Sequence, residues 1–174
     1  MNWEAIIRHY KAKHYPNHVA EMGWYRGQPS LRHAIGVAAL AEDGRQKRFH
    51  HQRRLKRVAL DKAKINLVRA EAKIENCRTF DELLTLLEEL LVGVSGLGEL
   101  YRYDTALRIG SWLGIQPDRV YLHAGTRVGA TMLGIPRGLR SVENDRFPEP
   151  VRQLPATEIE DILCIYKGRI AHGS

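Results

Sequence analysis

The residues best suited to chemistry fall into three groups. Between Arg45 and Arg57 the chain carries Arg45, Lys47, Arg48, Arg53, Arg54, Lys56 and Arg57, with His50 and His51 among them and no acid. Cations at that density repel one another and call for counter-charge. The phosphates of a nucleic acid or an acidic protein surface would supply it; alternatively the run is a solvated face whose long stems cover apolar surface. The second group is Tyr103, Asp104, Arg108, Tyr121, His123 and Arg127, polar residues in a stretch otherwise made of core-like apolar ones. Two arginines, a histidine and an aspartate can clamp a phosphate and move a proton, and the same residues can equally lock one helix to the next as buried polar pairs. The third is His9, His14 and His18, but Pro16 interrupts the helix that would align them, and the chain has no HExxH or Cys-His grouping. A metal site is therefore not expected. Without a Walker pattern, a GxSxG or a GxGxxG after a strand, no cofactor is expected either.

A short hairpin, Val94-Ser95-Gly96-Leu97-Gly98, separates two helical patterns. Such a turn presents backbone N–H groups at a helix N-terminus, and glycine lets a phosphate approach closely. Val94, Gly96, Leu97 and Gly98 resemble the hairpin of the helix-hairpin-helix DNA-binding family, over roughly residues 87–128 of this chain. In the DNA-glycosylase branch of that family an aspartate follows about twenty residues later, where Asp118 stands here. The resemblance implies phosphate contacts at Gly96 and Gly98. It further implies a carboxylate at Asp118 that steadies positive charge on a sugar as a base leaves. Leu100 stands where bifunctional members have a lysine, which implies no lyase nucleophile. The run from Tyr103 to Arg127 also resembles a bacterial family, a likeness that implies no activity.

These groups need a scaffold, and 174 residues at 44% hydrophobic and 27% charged are enough for one globular domain with a real core. The net charge of +7 is unevenly placed. Residues 45–76 hold eleven basic and three acidic side chains, leaving the remainder at −1. Cys77 and Cys164 lie far apart in apolar patterns and read as reduced core thiols of a cytoplasmic protein. Glu4, Arg8 and Lys11 break up any leader-like stretch, and no apolar run approaches a membrane span.

The periodicity predicts an all-α, bundle-like single domain of seven to eight helices over residues 1–174. A first helix over 3–14 presents Trp3, Ile6, Ile7 and Tyr10 and stops at Pro16, followed by a polar, Gly-rich passage around Gly23 to Pro29. Ser30 caps a second helix through about Ala41. From Leu55 to Cys77 the stripe Leu60, Ala63, Leu67, Ala70, Ile74, Cys77 is joined by a second apolar flank, Val58, Ile65, Val68 and Ala72, which implies a helix held between neighbours. The basic run stands at its N-terminal end, where the helix dipole also favours anions. Thr79 and Glu82 form a capping box for the next helix, and Glu99 to Leu113 follows with Leu100, Tyr103, Leu107 and Gly110 inward, an Asp104/Arg108 pair, and Gly114 as its stop. Short helical pieces are expected at Asp118 to Ala124 and Thr126 to Leu133. A Pro-rich loop over 136–156 and a last helix over 157–170, boxed by Thr157 and Glu160, complete the chain. Arg119 to Leu122 is too short to build a sheet.

The function these features favour is non-sequence-specific binding of nucleic acid, DNA ahead of RNA, through the basic segment and the Gly hairpin. The alternatives are a glycosylase-like enzyme acting through Asp118 and a regulatory module that meets an acidic protein.

Overall fold

The computed structural model describes residues 2–171, the last of them without its side chain. The fold is all-α: 64% of it is helix and 4% strand, with ten α-helices and one two-stranded sheet among the described residues. None of these helices is long and apolar enough to cross a membrane. The chain gathers into two compact units, Val19–Gln116 and the paired segments Met1–His18 and Pro117–Ser174.

Val19–Gln116 is built around one helix. Within it α3 (Leu31–Ala39) packs on α4 (Arg57–Arg69) and α7 (Glu99–Leu113), and α6 (Phe80–Leu91) packs on α4 and α7; a short α5 (Glu71–Glu75) follows α4. The N-cap of α3 is Ser30, whose hydroxyl accepts from the His33 N–H, as its sequence predicts. Both arms of the Thr79/Glu82 capping box are present on α6, which turns Phe80, Leu83, Leu84, Leu87 and Leu91 inward. Gly114 ends α7 in the left-handed region at φ 74°. Helix α7 itself is not the one-sided helix its pattern suggested. Tyr101, Tyr103, Ala106, Arg108 and Ile109 are all buried, while Leu100 and Leu107 are only half-buried. A helix enclosed on most of its circumference needs no polar side, so periodicity under-reports it.

Three expectations fail in this unit and at its border. The first helix, α1 (Trp3–Lys13), does end ahead of Pro16, but the polar passage expected around Gly23 is helical as far as Arg26, and Pro16 sits in the first turn of this second helix, α2 (Tyr15–Arg26). A proline costs nothing there because first-turn N–H groups have no helical acceptor. The helix expected from Leu55 to Cys77 breaks at Ala70, whose ψ of 12° leaves the helical region, and continues as α5. Ile74 and Cys77 stay buried across the break, so the stripe could not reveal it. The second apolar flank of α4 is not covered either: Val58 is 66% and Ile65 50% exposed.

The other unit has its own core, in which Val120, Leu122, Ala130, Phe147, Val151, Ile159, Leu163 and Ile170 cluster with partly buried Trp3 and Ile7. Ile6 and Tyr10 of α1 form a second cluster with Ile162 and Tyr166. Helix α8 (Ala124–Met132) packs on α9 (Ala156–Ile165), and α10 (Lys167–Ala171) packs on both. Gly129 makes the approach of α8 to α9 possible. A methyl at that position would lie 2.5 Å from the Leu163 carbonyl oxygen. The segment expected to be helical from Asp118 is instead a bend and the strand β1 (Val120–Tyr121), which pairs antiparallel with β2 (Ser141–Val142). A β-branched residue followed by an aromatic one, Val120-Tyr121, fits an extended pairing, and both are buried in it. The 136–156 loop thus holds β2 and two 3-10 turns, Asn144–Arg146 and Val151–Gln153. Pro155, not Thr157, stands at the N-cap of α9, so the Thr157/Glu160 box is absent, and the helix expected over 157–170 breaks at Tyr166.

Candidate nucleic-acid interface

The basic run is not on a helix. It forms an irregular loop between α3 and α4 that opens with a tight hairpin, in which Asp43 N–H donates to the Lys47 carbonyl at 2.8 Å and Gln46 N–H to the Asp43 carbonyl at 2.9 Å. One Asp43 carboxylate oxygen accepts the N–H groups of both Arg45 and Lys47 at 2.9 Å. Those backbone bonds, helped by the Arg45 and Lys47 charges, hold the Asp43 carboxyl below its ordinary value of 3.8. Gln46 closes the hairpin at φ 57°, a left-handed conformation that glycine or asparagine would adopt with less strain. A 3-10 turn at His50–Gln52 completes the loop.

Its underside is fastened to α7 by a polar network centred on Arg108, which is only 2% exposed. Arg108 Nε donates to Glu21 Oε1 at 2.9 Å and one terminal nitrogen donates to Gln52 Oε1 at 2.9 Å, while the guanidinium lies 4.1 Å from the Phe49 ring centroid. Gln52 in turn donates to Asp104 Oδ2 at 2.8 Å, and His51 Nε2 lies 2.9 Å from that same oxygen. Asp104 and Arg108 approach to 4.0 Å one turn apart, as their spacing predicts. Burial works against the Arg108 charge, and the Asp104 and Glu21 carboxylates outweigh it, so the guanidinium stays protonated. Above this network, Tyr25 donates to the Glu42 carbonyl at 2.6 Å, and Tyr101, its hydroxyl pushed up to about 12 by burial, donates to the Ala39 carbonyl at 2.6 Å. Gln52, Phe49, Glu21 and Tyr25 were not candidates in the sequence. The available signal was Gln52, a neutral amide inside a run of cations.

The seven cations of the loop have two fates. Arg48 donates to the Leu55 carbonyl at 2.7 Å, and Arg57 pairs with Asp61 at 2.9 Å and with Glu42 at 3.7 Å. The side chains of Arg45, Lys47, Arg53, Arg54 and Lys56 are exposed and make no hydrogen bond or ion pair among the described residues. Five positive charges therefore project to solvent from a loop whose other side is pinned.

The hairpin between α6 and α7 is a helix–turn–helix connection, with Val94 and Leu97 buried and Gly96 in the left-handed region at φ 88°. Gly98 is the N-cap of α7 and offers no side-chain oxygen to the first-turn N–H groups. A methyl at Gly96 or Gly98 would meet nothing within 4 Å, so both face open space. Asp118 belongs to the other unit. It is 68% exposed and binds Arg119 through both oxygens, at 3.1 and 3.2 Å, which holds its carboxyl below the ordinary range.

The polar group from Tyr103 to Arg127 is likewise divided. Tyr103 packs edge-on against Phe80 in the core, and Asp104 and Arg108 belong to the network under the loop. Tyr121, His123 and Arg127 lie in the other unit, where Tyr121 sits in β1 and Arg127 donates to the Leu122 carbonyl. His123 is buried at the start of α8 with its Nε2 on Glu160, a pairing that sequence spacing could not show. Cys77 and Cys164 are not joined in a disulfide, and burial raises the Cys77 thiol. No group of three or more histidine, cysteine or acidic side chains that could hold a metal occurs among the described residues. No family model matches the chain, and neither a curated protein nor a solved structure does.

Proposed function

We propose that this protein binds nucleic acid through its phosphates, without reading base sequence through base-edge contacts, using the loop from Arg45 to Arg57. The observation that carries the reading is the contrast within that loop. Arg45, Lys47, Arg53, Arg54 and Lys56 are exposed and make no ion pair among the described residues, while Arg108 and Asp104 anchor the loop to α7 at Gln52. Cations on an anchored loop meet a polyanion with less backbone left to order, and each phosphate contact releases counterions. Gly96 and Gly98, open and at the start of a 15-residue helix, are a second place for a phosphate. Asp118 supports binding over base excision, because its carboxylate is committed to Arg119 at the surface.

The test is equilibrium binding of labelled DNA and RNA oligonucleotides at several salt concentrations. If all five free cations contact phosphates, affinity should fall by about 10²–10³-fold between about 50 and 200 mM salt. Salt-insensitive binding, or none, rejects the reading. Isolation with a stoichiometric acidic protein and no nucleic acid would favour a protein partner instead.

A further inference from the structure

Beside the cationic loop lies a groove of about 550 Å³, within the range of small-ligand sites, walled by Trp24, the outer face of α3, the hairpin at Asp43 to Gln46, and Lys64 of α4. We infer that this groove is a slot for one unpaired nucleobase, which makes single strands the preferred substrate class. The inference rests on the phosphate-binding reading above.

The groove differs in charge from the loop it adjoins. Its Arg32 is paired with Glu71 at 2.5 Å, its Glu42 faces Arg57 at 3.7 Å, and its Asp43 carboxylate is engaged by hairpin N–H groups. Lys64 is the remaining cation of the lining and makes no ion pair among the described residues. Two carboxylates against two cations leave the lining near neutral, a poor seat for a phosphate and a suitable one for an uncharged heterocycle. What the groove offers such a ligand is an aromatic wall and a few polar groups. Half-buried Trp24 supplies the wall, steadied edge-on against Tyr25 at 4.8 Å between centroids and held close by Gly44, where a methyl would lie 3.0 Å from the indole nitrogen. His33, Gln46 and Lys64 are polar groups of the lining that would border a stacked base of any kind. The Lys64 stem runs beside α3 at Gly36, where a methyl would be in ordinary contact with Lys64 Cε at 3.5 Å. Phosphates on Arg45 and Lys47 and a base beside Trp24 would be neighbours on one strand, because Gln46 is shared between hairpin and groove. In a duplex the base is paired and stacked, and reaching the slot would require flipping it out.

The test compares three ligands of equal length at one salt concentration: an oligo-dT single strand, the same strand with abasic sites throughout, and a duplex. The abasic strand keeps every phosphate and removes every base. The intact strand should bind about 5- to 150-fold more tightly than the abasic strand, the range expected for one stacked base, and the duplex should gain nothing from Trp24. Trp24→Leu should abolish that preference with the salt dependence unchanged, and Trp24→Tyr should retain it; a structural loss would weaken all three ligands together. Equal, salt-sensitive binding of intact and abasic strands overturns the slot and leaves phosphate binding standing. Absence of binding to all three overturns both.

Discussion

The two faces of the basic loop are made of the same residue types and do opposite things. Below, Arg108 is a buried cation held by Glu21, Gln52 and the Asp104 carboxylate, and its guanidinium lies over Phe49. In the loop itself, the side chains of Arg45, Lys47, Arg53, Arg54 and Lys56 are exposed and make no hydrogen bond or ion pair among the described residues. A charge contributes to a fold when its neighbours complete its hydrogen bonds in a dry place, and to recognition when they do not. Substitutions on the two faces should therefore separate stability from binding.

Arg108→Ala should have the largest effect on stability. It strips the network of its centre and leaves Gln52 and two carboxylates facing a void, a loss of about 3–5 kcal/mol in denaturant unfolding. Nucleic-acid affinity should fall with it, since the loop loses its anchor. Gly129→Ala comes next. The added methyl meets the backbone oxygen of Leu163, which cannot swing aside, so unfolding should come about 1–3 kcal/mol earlier. Because Gly129 belongs to the other unit, its folded fraction should bind nucleic acid as the parent chain does. Single replacements of Arg45, Lys47, Arg53, Arg54 or Lys56 by Gln should each change stability by no more than about 0.5 kcal/mol. The smallest effect is acid-linked. Asp43 has a folded-state value below 3.8, so its contribution is fully present above the unfolded carboxylate value and lost as pH falls through the lowered one. Amide exchange at Arg45 and Lys47 should accelerate in that acid window, and Asp43→Asn should remove the pH dependence.

What could be read in the sequence was what neighbouring residues decide. The Thr79/Glu82 box, the Ser30 cap, the Gly114 stop and the leucine stripe of α6 depend on contacts three or four residues apart, and each is present. The location of the positive charge was legible in the same way. Its division into anchored and free cations was not, because Glu21, Gln52 and Arg108 are brought together from separate elements. Long-range pairing also explains β1 with β2, and His123 with Glu160, whose carboxylate had been assigned to a helix cap. Pro16 marked the end of α1 correctly but not the start of α2, because proline suits both places. The flank at Val58 and Ile65 misled because an apolar stripe does not say whether a neighbour exists.

The central claim is that the five free cations bind phosphates as a set. It is tested most directly by the slope of log affinity against log salt for the parent chain and for a variant with Arg45, Lys47, Arg53, Arg54 and Lys56 all changed to Gln. The parent slope should approach about −4 to −5 on duplex DNA and about −3 to −4 on single strands, and the variant should lose most of it while unfolding at nearly the same denaturant concentration. A variant that stays folded and keeps the parent's slope would contradict the account.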